Sequence, residues 1–328
     1  MKDLNELIKE TDTLCTHAGG FHSDDVMFTA IFFWLCDRTG RERPVVKRLF
    51  KVPDEIANDE HTLVFDIGGG RFDHHSDERE YRENGIPYAS VGKFWRAYGE
   101  EICRIAGASE PEEMAGHMDR ALICDIDAND NGVTSAEEMY EDCHTASLPK
   151  IIKLFNPNWI EDFDRDQCFM EAVAFAQKVF ERELAQSLAK DSSRSLMAEA
   201  ISNIEEGSPV LALDRSMPWK DAILNSEDPK AEDILFVVYP SNRGGWNWQG
   251  VPDAPGSFGQ RHPVPLEWRG KEDEELAAAC GIPDATFCHA SGFMGSCKTR
   301  EGAIAMAEKA SAAPVPDAAF PPGICQRS

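Results

Sequence analysis

Short apolar runs and helically spaced apolar residues alternate along the first part of the chain. Thr13 to Thr16, Val45 to Phe50 and Thr62 to Phe65 have the length of strands, and polar or glycine-bearing segments follow them. After the first run, Ser23 or Asp24 caps a helix whose apolar face includes Val26, Phe28, Ile31, Phe32 and Leu35, and Gly40 ends it. This rhythm predicts an α/β fold around a parallel sheet, and such sheets bind ligands just beyond the carboxyl ends of their strands.

Further on, Ala89 to Trp95 opens a helix running toward Cys103, and Glu112 to Cys124 reads as helical. From Asp166 to Leu188 the apolar residues Phe169, Val173, Ala176, Phe180, Leu184 and Leu188 keep a helical spacing, and Asp191 to Ser195 reads as a kink, loop or hinge after it. Pro209–Leu213, Ile234–Tyr239, Trp246–Val251 and Thr286–Ala290 are strand candidates, with helices over Glu274–Ala279 and Arg300–Ala310. The Pro- and Ala-rich tail beyond Ser311 is expected to be irregular.

At 328 residues the chain can bury a substantial core, and two domains are expected. The net charge of -25 argues against sequence-independent capture of long nucleic acid, which needs many Lys and Arg contacts to phosphate. A short strand end or a nucleotide, held by metals and a few cations, is compatible with it. The ten cysteines form no CxxC pair and several sit in apolar runs, so reduced thiols and a cytoplasmic location are expected. The start, Met1 to Leu7, has no signal-peptide core, and the longest apolar run, Ala30 to Cys36, is too short to span a bilayer. No membrane association is expected.

The densest chemistry lies in Phe65-Asp66-Ile67-Gly68-Gly69-Gly70-Arg71-Phe72-Asp73-His74-His75. A carboxylate at a strand end, a glycine turn and two adjacent imidazoles suit a divalent transition metal better than a packed core. A second cluster upstream offers His17, His22, Asp24 and Asp25 in a similar strand-then-turn setting. Asp24 alone reads equally well as a helix cap, but two His–Asp clusters together point to a metal-dependent hydrolase. Asp127 to Gly132, followed by Glu138, imitates an EF-hand calcium loop, yet Thr134 occupies a position that usually carries an aliphatic residue and no second loop pairs with it. Asp127 as the last carboxylate of the metal site is the preferred reading.

The ordered set His17…His22-Ser23-Asp24, Asp66, Asp73-His74-His75 and Asp127 resembles the N-terminal motifs of the DHH phosphoesterase superfamily. The wider pattern is most similar to the melanocyte-proliferating-gene family within it. That pattern adds Ile126 to Gly132, Phe155-Asn156-Pro157-Asn158-Trp159, Pro265 to Gly270, His289-Ala290-Ser291-Gly292-Phe293-Met294-Gly295 and Thr299 to Ala303, and so covers nearly the whole chain. The turn between Asp66 and Asp73 is shorter than the family leads one to expect, Ser76 stands where Gln is expected, and Asp25 where some relatives carry Glu.

The resemblance implies two domains with the active site in the cleft between them: a DHH-type parallel-sheet metal-binding catalytic domain (1–165), a helical connector (166–206) and a smaller mixed α/β substrate-binding domain (207–328). It implies a 3′–5′ RNA exonuclease with two manganese ions, magnesium being the alternative, in which a metal-activated hydroxide attacks phosphorus in line. One ion would take His17, His22 and Asp66, the other Asp24, Asp66, His74 and Asp127, with Asp66 bridging. His75 would bind a phosphate oxygen or protonate the leaving group. His289, Ser291 and Gly292 resemble the superfamily's substrate loop, while Lys298, Arg300 and Arg269 could add charge-assisted contacts to phosphate. Trp246, Trp248 and Phe258 could stack on a base, with core packing an equal reading. A small-molecule nucleotide or pyrophosphate-like phosphohydrolase shares the same centre. A calcium-binding regulatory protein and a non-catalytic nucleic-acid-binding module are the further alternatives; oligomeric state is left open.

Overall fold

The computed structural model describes residues 2–75, 79–133 and 143–315. The chain divides into two compact units, Met1–Asp191 and Ser192–Ser328. The first unit begins with α1 (Leu4–Glu10), β1 (Thr13–His17), α2 (Ser23–Thr39), β2 (Val45–Leu49), α3 (Asp54–Ala57) and β3 (Thr62–Val64). Its sheet has the order β2-β1-β3 and both pairings are parallel, as the strand–helix–strand rhythm predicts. Then come α4 (Ser90–Ala106), α5 (Pro111–Met118), a π-helical turn over Asp119–Ile123, α6 (Cys124–Asp130), α7 (Leu148–Lys153) and α8 (Arg165–Asn203).

The apolar pattern of α2 understates its burial. Every residue from Ser23 to Cys36 is buried, because α2 packs against α1, α4, α6 and α7 rather than lying on a surface. Phe28 stacks on Phe65 at 4.0 Å and meets Phe94 at 4.6 Å, so the helix is fixed by aromatic packing worth about 1.5–3 kcal/mol per buried ring. Gly40 closes it in the left-handed conformation (φ 70°), donating its N–H to the Cys36 carbonyl. Two carboxylates, Asp24 and Asp25, are thereby carried into the interior on the first turn.

The break expected at Asp191–Ser195 is absent: α8 runs unbroken through it. Asp191 does not compete for its own helix backbone. Its carboxylate accepts from Ser109 N and Oγ (both 2.7 Å) and from Glu110 N (3.2 Å), capping the start of α5 instead. The Asp127 segment also differs from a calcium loop, since Asp127 and Asn129 lie inside α6. Thr134 and Glu138 lie outside the described residues, as do Ser76 and the tail from 316.

The second unit contains β4 (Val210–Ala212), α9 (Lys220–Leu224), α10 (Lys230–Asp233), β5 (Phe236–Pro240), β6 (Trp246–Gly250), a 3-10 turn over Leu266–Trp268, α11 (Asp273–Cys280), β7 (Ala285–Cys288), β8 (Met294–Cys297) and α12 (Arg300–Ser311). Its five-stranded sheet, ordered β4-β5-β6-β8-β7, is parallel at β4–β5 and antiparallel elsewhere. Strand β8 was not expected, because Met294-Gly295-Ser296-Cys297 lacks the β-branched and aromatic residues that mark strands. Gly295 is there for space: a Cβ would lie 2.4 Å from the Phe287 carbonyl and from the Trp248 ring. No helix among the described residues is long and apolar enough to cross a membrane.

Candidate metal centre

Separate segments of the first unit bring four of the predicted ligands, His17, Asp24, Asp66 and His74, to one place. His17 is the last residue of β1, and Asp24 and Asp25 open α2. Asp66 follows β3, whose ladder is prolonged by Phe65 N donating to Cys15 O (3.0 Å). At Asp66 the backbone turns left-handed (φ 57°), a conformation Asp tolerates better than most residues. Asp66 N donates to Phe72 O (3.0 Å), and Phe72, buried against Phe28 and Phe94, anchors the return of the short glycine turn. Asp73 then organises the far side of that turn. Its carboxylate accepts from Gly69 N (2.6 Å) and His75 N (3.0 Å) and contacts His75 Nδ1 (2.8 Å).

The side chains form three overlapping sets, in each of which the ligand atoms lie within 4.8 Å of one another: His17, Asp25 and Asp66; Asp24, Asp66, His74 and Asp130; Asp66, His74 and His75. Asp66 belongs to all three. Its Oδ2 is 3.3 Å from His17 Nε2 and its Oδ1 3.1 Å from His74 Nε2, while His74 Nε2 is also 3.2 Å from Asp130 Oδ2. His17 Nε2 is equally close to Asp25 Oδ2, at 3.3 Å.

These close approaches are not aligned as hydrogen bonds. His17 Nε2, Asp25 Oδ2, Asp66 Oδ1 and both ring nitrogens of His74 are buried without a hydrogen-bond partner among the described residues. Buried polar atoms are normally satisfied. A cluster of unsatisfied imidazole nitrogens and carboxylate oxygens aimed at one another is the donor set a divalent transition metal takes. The residues therefore fit such an ion.

The electrostatics point the same way. Burial, with the charges of Asp66, Asp130 and Asp127, pushes Asp24 well above the usual carboxylate range, although the Val91 N–H opposes it. Burial pushes Asp25 up to about 7 in spite of the His17 imidazole. For Asp66 burial acts in the same sense, but His17 and His74 outweigh it and hold the carboxyl at about 2. For His17 burial favours the neutral ring, yet Asp66 and Asp25 prevail and raise it to about 9. The Asp66 charge thus disfavours ionisation of Asp24.

Two predicted ligands stand apart. Asp127 belongs to none of the three sets. It accepts from Gly92 N (3.1 Å) and contacts Arg82 Nη1 at 2.6 Å, and Gly92 makes the room, since a Cβ there would lie 1.7 Å from Asp127 Oδ2. His22 is largely exposed, with Nδ1 3.3 Å from Asp130 Oδ1. In the second set the carboxylate comes from Asp130, three residues past Asp127 on α6, and in the first the ligand beside His17 is Asp25. Asp25 was visible in the sequence cluster. Asp130 was visible only as a second acid in Asp127-Ala128-Asn129-Asp130.

In the second unit Arg269, His289, Ser291 and Gly292 come together. His289 Nδ1 is 2.7 Å from Ser291 Oγ, Gly292 (φ 77°) donates to His289 O (2.8 Å), and a Cβ on Gly292 would meet Arg269 Nε at 2.8 Å. Lys298 is exposed. Arg300 turns to Asp214 (3.5 Å) and lies over the Trp246 ring, and Thr299 caps α12 against Asp284. Trp248 cannot stack on a base: it is fully buried and its indole N–H contacts the Met306 sulfur at 3.1 Å.

Comparison with known proteins gives the family of the chain. Residues 13–311 match the model of the MYG1 exonuclease family, described as "Uncharacterised protein family (UPF0160)". The chain is 31% identical to "MYG1 exonuclease" of Homo sapiens over 324 residues, covering 89% of this chain and 84% of the human protein. It is 30% identical to the MYG1 protein of Schizosaccharomyces pombe, covering 94% and 98%, and 29% identical to that of Dictyostelium discoideum, covering 90% and 95%. No solved structure matches it. With a match that runs from β1 to the end of α12, the chain belongs to the MYG1 exonuclease family.

Proposed function

We propose that the protein is a divalent-metal-dependent phosphoesterase that removes nucleotides from the 3′ end of RNA. The observation that carries this reading is Asp66, a buried carboxylate shared by every ligand set and left with an unsatisfied oxygen. The name "exonuclease" borne by the human relative supports the nuclease chemistry. We assign one cation to His17, Asp25 and Asp66 and the other to Asp24, Asp66, His74 and Asp130, with manganese as the ion and magnesium as the alternative. Bound in pairs, such cations act as Lewis acids and lower the pKa of water.

The protein's own groups do the rest. Asp66 is kept ionised by His17 and His74 and, belonging to every ligand set, would serve both cations. Asp24 is oriented by Ser90 N (3.1 Å) and Val91 N (2.7 Å), so its position is fixed from the amino end of α4. His75 turns Nδ1 to Asp73, which leaves Nε2 of this exposed ring for a phosphate oxygen or the leaving group. In the second unit, Arg269 with His289, Ser291 and Gly292 is the group we assign to phosphate recognition, Lys298 and Arg300 adding charge.

The test is manganese-dependent release of mononucleotides from 3′-labelled short RNA, with Asp66→Asn as the control. Turnover by that variant at the wild-type rate would remove Asp66 from the chemistry. The net charge of -25 favours a second reading, hydrolysis of a small nucleotide or pyrophosphate-like substrate. Phosphate release from small substrates with intact RNA would select it.

A further inference from the structure

The loop between β1 and α2 carries His17 at one end and His22 at the other, yet it has little regular structure of its own. Gly19 is left-handed (φ 92°), and the sequence Ala18-Gly19-Gly20 offers no side chain beyond a methyl to stiffen it. Such a segment pays a large conformational entropy to hold the His17 imidazole and the Asp24–Asp25 turn in place. The structure shows what holds it. Ala18 N donates to Leu49 O (2.8 Å), and Arg48, on β2, donates from Nη2 to Gly19 O (2.9 Å). Arg48 is itself immobilised, its side chain 2% exposed, paired with Asp166 (2.9 Å) and lying over the rings of Phe21 and Phe169.

The most specific contact comes from 135 residues away. The Asn156 carboxamide takes both backbone groups of Phe21: Phe21 N donates to Oδ1 (3.0 Å) and Nδ2 donates to Phe21 O (2.9 Å). This is how a neighbouring strand would bind a residue, performed by one side chain. A Cβ on Gly20 would meet Asn156 Oδ1 at 3.6 Å, an ordinary van der Waals contact. Phe21 is buried edge-on against Phe169 (5.5 Å), so the grip cannot slide. None of these contacts uses an imidazole atom of His17 or His22.

We propose that Asn156, aided by Arg48, is a positioning residue that sets the His17–His22 loop for metal binding. The inference rests on the metal-dependent reading above. Carboxamides and guanidinium groups that fix a ligand-bearing backbone act like other outer contacts of metal sites, whose loss weakens affinity by about 10–100-fold.

Calorimetric titration of the metal-free full chain with manganese tests it, together with the visible spectrum of the cobalt(II) form as a report on ligand geometry. Asn156→Ala should raise the manganese Kd about tenfold and alter the cobalt spectrum, while the metal-free melting temperature stays within a few degrees of wild type. Asn156→Asp keeps the acceptor for Phe21 N and should recover part of the affinity. Wild-type affinity and spectrum in Asn156→Ala would overturn the proposal. So would a loss of affinity that merely follows a fall in metal-free melting temperature, with no recovery in Asn156→Asp. Absence of manganese binding by the wild-type chain would overturn the metal reading itself, and this inference with it.

Discussion

Two buried aspartates meet the amino end of α4 at successive amides. Asp24 accepts from Ser90 N and Val91 N; Asp127 accepts from the next amide, Gly92 N. Both are fully buried, and burial raises the pKa of both, Asp127 to about 7. Their far sides differ. Asp127 meets Arg82, which also forks onto Asp119 (2.9 and 2.6 Å) and lies over the Tyr88 ring at 4.1 Å. Asp24 faces Asp66, His74 and Asp130. One side of the helix end is neutralised by the protein's own cation. The other gathers carboxylates and imidazoles, the donor set that a divalent cation takes. A helix amino terminus and a buried acid thus do not identify a ligand; the charge that meets the acid does.

The contrast can be broken most directly at Asp66. Asp66→Asn should lower turnover by about 10³-fold or more, about 4 kcal/mol of transition-state stabilisation. It should also abolish the rise in melting temperature that manganese gives the wild type, about 2.7 kcal/mol at a hundredfold excess over Kd. Thermal shifts that persist in the variant would mean that the open side needs no shared carboxylate. Next in size, Gly92→Ala places a methyl where Asp127 Oδ2 now lies, and urea denaturation should report a loss of about 3 kcal/mol. A wild-type midpoint there would show that the Arg82 side yields easily.

The two acids of α6 sharpen the comparison further. Asp130→Asn should weaken manganese binding by about 10–100-fold in calorimetry. Asp127→Asn should change it by less than about threefold, because it lies outside the ligand sets. The reverse order would return Asp127 to the metal and make the Arg82 contact incidental.

That pair also shows where sequence reading stops. The parallel sheet, the strand-end position of Asp66 and the gathering of His17, Asp24 and His74 follow from period and turn residues that act locally. Asp127 and Asp130 are three apart on one helix, so periodicity puts them on neighbouring positions of one face. Only Arg82, 45 residues upstream of Asp127, separates their roles. The unbroken α8 has a similar cause, since the carboxylate of Asp191 is engaged by Ser109 and Glu110. Strand β8 carries little strand signal of its own, and at Gly295 it is the Phe287 carbonyl and the Trp248 ring that exclude a side chain. Local pattern gives elements; partners distant in sequence decide what a side chain is for.

The left-handed backbone at Asp66 has an evolutionary consequence. Of the residues that adopt φ 57° with little cost, Gly and Asn carry no charge. Glu keeps the charge but lacks both the short reach and the backbone tolerance. Every single exchange at this position therefore gives up either the ligand or the turn that presents it. This position is an island with no neutral neighbours.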